Sequence, residues 1–490
     1  MKINIIGSGI AGLAASVRLA CQGHTVSVFE TNSYPGGKLT AFTKEGFRFD
    51  AGPSLFTMPQ LVEELFELAG KNPKQYFEFK KIENATNYFY EDGTQFTSFQ
   101  NRGQFINELE RKLGFNQPKQ LIQYLNAAEY RYNLTAPIFI EYSLHRLSNY
   151  LNWQTLKGLL NAWRLGLFDS MNAENEKIFT DKRVVQYFNR FATYNGSSPY
   201  LAPALLNMIP HLEHGIGTFF PNKGMHAITQ SIYTLALELG VQFYFNHKVE
   251  TIATTQHKVT GVYVGGKLYE SDLVVSNADI HPTYTKLLPH IKPPKRLLNQ
   301  EKSSSALIFY WGINRKFEQL DLHTILFSAE YKAEFDCLFK TKTIYADPTI
   351  YINITSKHKQ DDAPEGCENW FVMVNVPNNS GQNWDAMITE ARKNMVAKIN
   401  RLLHTDIEKH IVVEEILEPR TIESKTSSYA GALYGNASNN AFSAFLRHKN
   451  FSSSLKGLYF CGGSVHPGGG IPLCLNSAKI IARLVAEDYG

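Results

Sequence analysis

Apolar runs of two different periods divide this chain. Ile3, Ile5 and Ile6 make a short, mostly apolar run, Ile10, Leu13, Ala14 and Val17 then recur at helical spacing, and VSVF follows at 26–29. A strand, a helix and a second strand are therefore predicted in succession. A similar order returns near the other end, where LYF at 458–460 leads into a glycine-dense loop and then into Ala478, Ile481, Ala482 and Val485 on one helical face. Between these ends, residues 76–99 and 303–419 carry the strand-like runs YFEFKKI, NYFYEDGT, SALIFYWGI, LHTILFS, PTIYINIT and NWFVMVNV. These predict one mixed or antiparallel sheet. Residues 104–213 read as mostly helical and aromatic, and Trp153, Leu156, Leu160, Trp163 and Leu167 fall at helical spacing. Such a stripe is ordinary core, or, flanked by Lys157 and Arg164, it sits in a bilayer interface; spacing alone accommodates both.

Length and composition bound what these elements can build. A chain of 490 residues is about three times a typical domain, so two or three domains are expected. With 43% hydrophobic and 19% charged residues it is globular rather than disordered. The formal charge of +4, without a basic tract, excludes the electrostatics of a nucleic-acid binder; mild basicity is compatible with an anionic membrane surface. Cys21, Cys337, Cys367, Cys461 and Cys474 form no C-x-x-C and no ligand spacing with histidine, so reduced thiols, a cytoplasmic setting and no metal are expected. No apolar run reaches the length that spans a bilayer, and the glycine-punctuated N-terminus has no basic segment or clean cleavage site. Any membrane contact is expected to be peripheral, at the inner face of the cell membrane.

Candidate chemistry begins in KINIIGSGIAGLAASVRLACQGHTVSVFE, residues 2–30. Gly7, Gly9 and Gly12 have the spacing G-x-G-x-x-G between the first strand and its helix, an arrangement that binds a dinucleotide. Gly7 permits the tight turn, Gly9 lets a diphosphate approach the backbone, and Gly12 lets helix and strand pack closely. Ile10 and Ala11 then begin the helix whose positive end receives the anion. Glu30 closes the second strand, where a carboxylate accepts hydrogen bonds from ribose hydroxyls and disfavours the 2′-phosphate of NADP. No second fingerprint follows, so no separate nicotinamide site is visible.

What comes next brings in a resemblance. ETNSYPGGKLTAFTKEGFRFDAGPSLFTMP, residues 30–59, resembles the extended motif of FAD enzymes of the glutathione-reductase-like superfamily, in the branch of amine oxidases and carotenoid desaturases. That resemblance implies that Gly36 and Gly37 let the chain pass under the ribityl and diphosphate, that Lys38 faces the flavin, and that Gly52, Pro53 and Ser54 belong to the same site. The loop of KGLYFCGGSVHPGGGIPLCLNSAKIIARLV, 456–485, resembles the GG-S/T-x-H-P-G-G-G-I-P signature of bacterial carotenoid desaturases. It implies a flavin berth containing Gly463, Gly470, Ile471 and Pro472, with the proline in the first helical turn, where a missing N–H costs little. His466 is either a base or a loop histidine tied to the backbone. Residues 214–252 resemble the family's return segment: a turn, a helix from Met225 and a strand ending near Val249, whose backbone reads the adenine. This chain carries Lys223-Gly224 where the family has two glycines. SDLVVSNADIHPTY, 271–284, resembles the next return strand, ending at Asn277.

The resemblance implies an α/β fold. A glutathione-reductase-like (Rossmann-type) FAD-binding domain is expected from residues 1–75, 215–290 and 425–490, a mixed-sheet substrate domain from 76–103 and 291–424, and a helical, membrane-facing region at 104–214. It implies an FAD-dependent carotenoid desaturase in which hydride leaves one carbon of a single bond adjoining the polyene, a proton leaves its neighbour, and the electrons pass on to oxygen or a quinone. Conjugation spreads the charge, so no strong base is required and no catalytic residue is assigned. FRFDAGPSLFTMPQLVEELFELAG, YFYEDGT and HGIGTFFPNKGMHAI look most like 1-hydroxycarotenoid 3,4-desaturases; a phytoene desaturase or carotenoid isomerase is the neighbouring alternative. A flavin amine oxidase shares the cofactor domain but not the His-Pro-Gly-Gly-Gly loop, and a non-enzymatic prenyl-chain carrier of the superfamily needs neither Gly9 nor Glu30.

Overall fold

The computed structural model describes residues 1–146, 166, 168–440, 443 and 447–490. Strands Leu458–Phe460, Leu273–Ser276, Lys2–Ile6, Thr25–Phe29 and Gln242–Tyr244 lie side by side in that order, all parallel. Their side chains alternate between two covered faces, as parallel strands require. Ile3, Ile5, Val26, Val28, Leu273 and Val275 pack on helices Ile10–Cys21, His226–Glu238 and Ile471–Tyr489. Ile6, Phe29, Val274, Leu458 and Phe460 face the opposite way, onto the antiparallel sheet of Val249–Thr255, Lys258–Val264 and Lys267–Glu270.

The return segment differs from expectation at its end. The strand that joins the parallel sheet is Gln242–Tyr244, and Val249 opens a strand of the antiparallel sheet instead of closing one. Asn246 takes φ +57° between them. Its N–H donates to the Asn32 carbonyl at 3.0 Å and that of His247 to the Glu30 carbonyl at 2.8 Å, folding the chain over the end of Thr25–Phe29. At the start of the segment the positive φ falls on Gly224 (84°) while Lys223 is exposed, so a lysine fits there. The helix that follows is capped from far away in sequence: Asp50 accepts from the N–H groups of Met225 (2.9 Å) and His226 (3.0 Å), and Arg48 pairs with that carboxylate at 2.8 Å. A carboxylate at a helix N-terminus meets its orphan amides and its dipole together.

The second sheet has seven strands, in the order Ile411–Leu417, Ser305–Ile313, Glu368–Val376, Ile350–Ile354, His323–Leu326, Asn84–Phe89 and Gln95–Phe99. It is mixed, because His323–Leu326 and Asn84–Phe89 pair in parallel. Phe79–Lys81 does not join it and pairs with Phe219–Pro221 instead. The edge strand Ile411–Leu417 escapes a hydrophobicity reading because Glu414 and Glu415 interrupt it; Glu414 accepts from the Trp311 indole at 2.6 Å. Period-two alternation gives the sheet two different faces. Phe309, Trp311, Trp370, Val372 and Val374 bury against helix Trp384–Leu403. Ala306, Ile308 and Tyr310, in register with Asn375, Met373 and Phe371, face a large cavity.

Helices Arg102–Leu113, Pro118–Phe139, Met171–Ile178 and Lys182–Asn189 surround an aromatic core containing Phe105, Tyr124, Tyr187 and Phe188. Trp153 and Trp163, with the helical stripe drawn through them, lie outside the described residues. No helix among the described residues is long and apolar enough to cross a membrane.

Candidate functional site

Four of the parallel strands end along one edge, and Gly7, Glu30, Asn277 and Cys461 each follow directly on such an end. This is where a doubly wound sheet presents its loops to a ligand. Here the loops open into a cavity of about 1460 Å³ that continues beneath the seven-stranded sheet. Its wall includes Gly7, Gly9, Ile10, Ala11, Glu30, Gly36, Gly37, Lys38, Gly52, Pro53, Ser54, Val249, Asn277, Gly463, Gly470, Ile471 and Pro472. Gly12 alone of the expected site residues is not on the wall. A Cβ there would stand 2.2 Å from the Gly7 carbonyl oxygen, so Gly12 acts by packing the turn onto its helix.

The wall has the shape and chemistry of a dinucleotide cradle. Gly9 precedes helix Ile10–Cys21, whose first amides have no partner within the helix. A Cβ on Gly37 would come within 3.3 Å of the Gly9 Cα, so the two glycine segments approach at backbone distance. Gly470, at φ +106°, precedes the C-terminal helix, and a Cβ there would meet nothing within 4 Å. It leaves an open, amide-bearing helix end beside the cavity. An elongated diphosphate-linked cofactor with a flat ring fits these residues.

Glu30 is buried, and its carboxylate is already engaged. Oε2 accepts from the Ser8 N–H and hydroxyl, both at 2.8 Å, and Oε1 accepts from the Asn32 N–H at 2.9 Å and side-chain amide at 3.1 Å. It thus braces the glycine turn. Glu30→Ala is expected to weaken FAD binding about 10- to 100-fold, the equivalent of about 1.5–3 kcal/mol for charge-assisted bonds. Flavin titration of the deflavinated protein measures this, and unchanged affinity would move the ribose elsewhere.

Two cations flank the glycines, Arg447 buried and Lys38 half-buried. Lys38 Nζ donates to the carbonyls of Leu433 (2.8 Å) and Ala432 (3.3 Å), and burial pulls its pKa down against the opposing charge of Asp279. Arg447 donates to the carbonyls of Tyr434 (2.8 Å), Asn436 (2.9 Å) and Gly463 (3.3 Å), and burial lowers its pKa to about 10. Arg447 lies in no motif, and only the folded chain brings it to the glycine loop. His466 is tied to the backbone: its Nε2–H donates to the Tyr142 carbonyl at 2.9 Å, and burial lowers its pKa to about 4. A neutral ring with Nε2 spent in this way is not a base at that atom.

Toward the seven-stranded sheet the wall becomes largely apolar, through Ile308, Tyr310, Phe371 and Met373, with Thr349, Tyr351 and Asn375 among its polar members and Arg190 as a charged one. Arg190 lies against the cavity, and its Nη2 donates to both oxygens of buried Glu213, at 2.9 and 2.7 Å. The Tyr194 hydroxyl donates to the same carboxylate. This pair went unread in the sequence. Its available signal is a lone arginine inside the aromatic run YFNRFATY, 187–194.

Three comparisons bear on this geometry. The family described as flavin containing amine oxidoreductase matches residues 10–486. A 1-hydroxycarotenoid 3,4-desaturase from Flavobacterium sp. (strain P99-3) is 51% identical over 99% of each chain, and a 4,4′-diapolycopene oxygenase from Methylomonas sp is 33% identical over 99% of this chain and 98% of its own. An oxidoreductase from Methanosarcina mazei has a similar fold, with a TM-score of 0.67 at 14% identity over 99% of this chain and 100% of its own.

Proposed function

Because this chain belongs to the flavin-containing amine oxidoreductase family and is an FAD-dependent oxidoreductase, we propose that it desaturates a 1-hydroxycarotenoid at its 3,4 bond. The observation that carries this reading is the 51% identity to a relative of that activity over 99% of both chains. A cavity that runs from the glycine loops to an apolar sheet face is consistent with it. FAD, when bound, supplies the two-electron oxidant that takes the hydride and passes the electrons to oxygen or a quinone.

The chain's own residues do the rest. Gly7, Gly9, Ile10 and Ala11 receive the diphosphate, with Gly12 setting the turn. Glu30 takes the ribose, and Val249 and Asn277 close the adenine side. Gly36, Gly37, Lys38 and Gly52-Pro53-Ser54 line the middle of the cofactor, while Gly463, Gly470, Ile471 and Pro472 hold the flat ring. The segments that carry them constitute the FAD domain. The seven-stranded sheet, through Ile308, Tyr310, Phe371 and Met373, lays the polyene flat and excludes water.

A carotenoid is almost insoluble in water, so the substrate enters from a bilayer and the protein docks peripherally on the inner face of the cell membrane. Tyr132, Phe139 and Ile140 continue the cavity wall into the helical region, where Phe168 is 98% exposed; we place the mouth there.

The test is anaerobic titration of the flavin-loaded protein with 1-hydroxycarotenoid in liposomes. Bleaching of the flavin absorbance, with product carrying one additional double bond, is the expected result. Bleaching by amines and not by carotenoid would overturn the reading.

A further inference from the structure

An apolar cavity built only for a hydrocarbon has no use for a buried guanidinium. Arg190 is 6% exposed and sits on the cavity wall with Tyr194 and Tyr351. Within 3.5 Å its side-chain hydrogen bonds among the described residues run from Nη2 to Glu213, with the Tyr187 and Tyr194 hydroxyls as further, longer partners, while Nε is buried without a partner and Nη1 makes no bond at that distance. The aromatic rings around it, with Phe191 at 4.3 Å and Tyr88 at 5.3 Å, fix the guanidinium in place without using those donors. An arginine has donors and no acceptor, so the missing partner is an oxygen with free lone pairs.

The position fits such an oxygen in a particular substrate. In a 1-hydroxycarotenoid a single carbon separates the oxygen-bearing carbon from the 3,4 bond, so whatever reads the hydroxyl must stand near the flavin. Ser54 follows Gly52-Pro53 in the cofactor motif, and its hydroxyl shares a 2.8 Å hydrogen bond with Tyr351. The Tyr351 hydroxyl also meets His323 Nδ1 at 2.7 Å. Tyr351 pairs across the sheet with Ile325 and Ile325 with Tyr88, so the three form one cross-strand row, and the Arg190 guanidinium lies 5.3 Å from the Tyr88 ring at its far end. One polar end of the cavity thus joins Ser54, Tyr351, Tyr194 and Arg190.

We propose that Arg190, oriented by Glu213, donates a hydrogen bond to the hydroxyl oxygen of the carotenoid and makes the enzyme selective for hydroxylated over unsubstituted ends. This rests on the desaturase reading and adds to it the residue that reads the oxygen. A site whose donors are left unpaired by the wrong ligand discriminates far better than an apolar pocket can. Arg190 is a specificity residue here, Glu213 the residue that positions it.

The experiment compares kcat/KM for a 1-hydroxycarotenoid and for the same polyene without the hydroxyl, both in liposomes, using flavin-loaded wild type, Arg190→Lys and the paired variant Arg190→Met/Glu213→Leu. Arg190→Lys keeps a charge for Glu213 and loses the guanidinium fork. The paired variant removes both charges. Wild type is expected to prefer the hydroxylated substrate about 10- to 100-fold, and the preference is expected to fall at least tenfold in each variant that retains FAD, mainly through slower use of the hydroxylated substrate. A wild-type preference near one overturns the inference without any variant, and leaves the desaturase reading standing. A strong preference that survives in either flavin-loaded variant overturns it too, and failure of wild type to turn over either polyene overturns the desaturase reading itself.

Discussion

Gly9→Val is expected to purify folded but colourless. The backbone of Gly9 is extended (φ −63°, ψ 170°), so valine meets no conformational barrier and the effect is steric. A Cβ there would stand 2.9 Å from the Asn277 side-chain oxygen, and the amide of that side chain donates to the Cys461 carbonyl at 3.2 Å. A branched side chain therefore pushes apart the ends of three strands, those before Gly7, Asn277 and Cys461. It also adds bulk on the cavity wall at the N-terminus of helix Ile10–Cys21, in the space a diphosphate would need. Flavin absorbance per polypeptide should fall to background while circular dichroism and elution volume stay near wild type. A folded variant with a full complement of FAD would refute the diphosphate assignment.

The glycine turn was readable because its physics is local. G-x-G-x-x-G, an acid at the end of the next strand and a proline one residue into a helix are constraints that neighbouring residues impose on one another. The nearly unbroken apolar run SALIFYWGI likewise forecasts a strand covered on both faces. Other features depend on partners far away in sequence. Asp50 caps a helix that begins 176 residues later, and no pattern around Phe47–Asp50 announces it. Arg447 reaches the glycine loop from a segment with no motif. The resemblance puts Val249 at the end of the strand that returns to the sheet, although Asn246, His247 and Lys248 separate VQFYF from VETI. The turn at Asn246 that separates them rests on hydrogen bonds to Glu30 and Asn32, which sequence spacing does not display. Arg190 and Glu213 are 23 residues apart, and each would ordinarily be read as a surface charge.

Glu213→Leu is expected to destabilise the flavin-loaded protein by about 3–5 kcal/mol, the usual result of leaving one partner of a buried ion pair uncompensated. Burial pushes the Glu213 carboxyl up, but Arg190 and Tyr194 outweigh it and hold the group ionised, below its ordinary range. Removing it strands the guanidinium among aromatic rings and deprives the Tyr194 hydroxyl of its acceptor. The paired variant Arg190→Met/Glu213→Leu has no stranded charge, and side chains of similar bulk fill the space. It should recover to within about 1–2 kcal/mol of wild type, because two desolvated ions gain little over apolar packing once both are gone. Denaturant midpoints at a fixed excess of FAD measure both, since free cofactor would otherwise shift the folded population. If the paired variant remains as unstable as the single one, the ion pair is a structural tie between Arg190–Asn195 and the turn at Leu212–Ile216. If it recovers, stability does not account for two ions at the wall of an apolar cavity, and what keeps them there is the ligand that the Nε and Nη1 groups of Arg190 face.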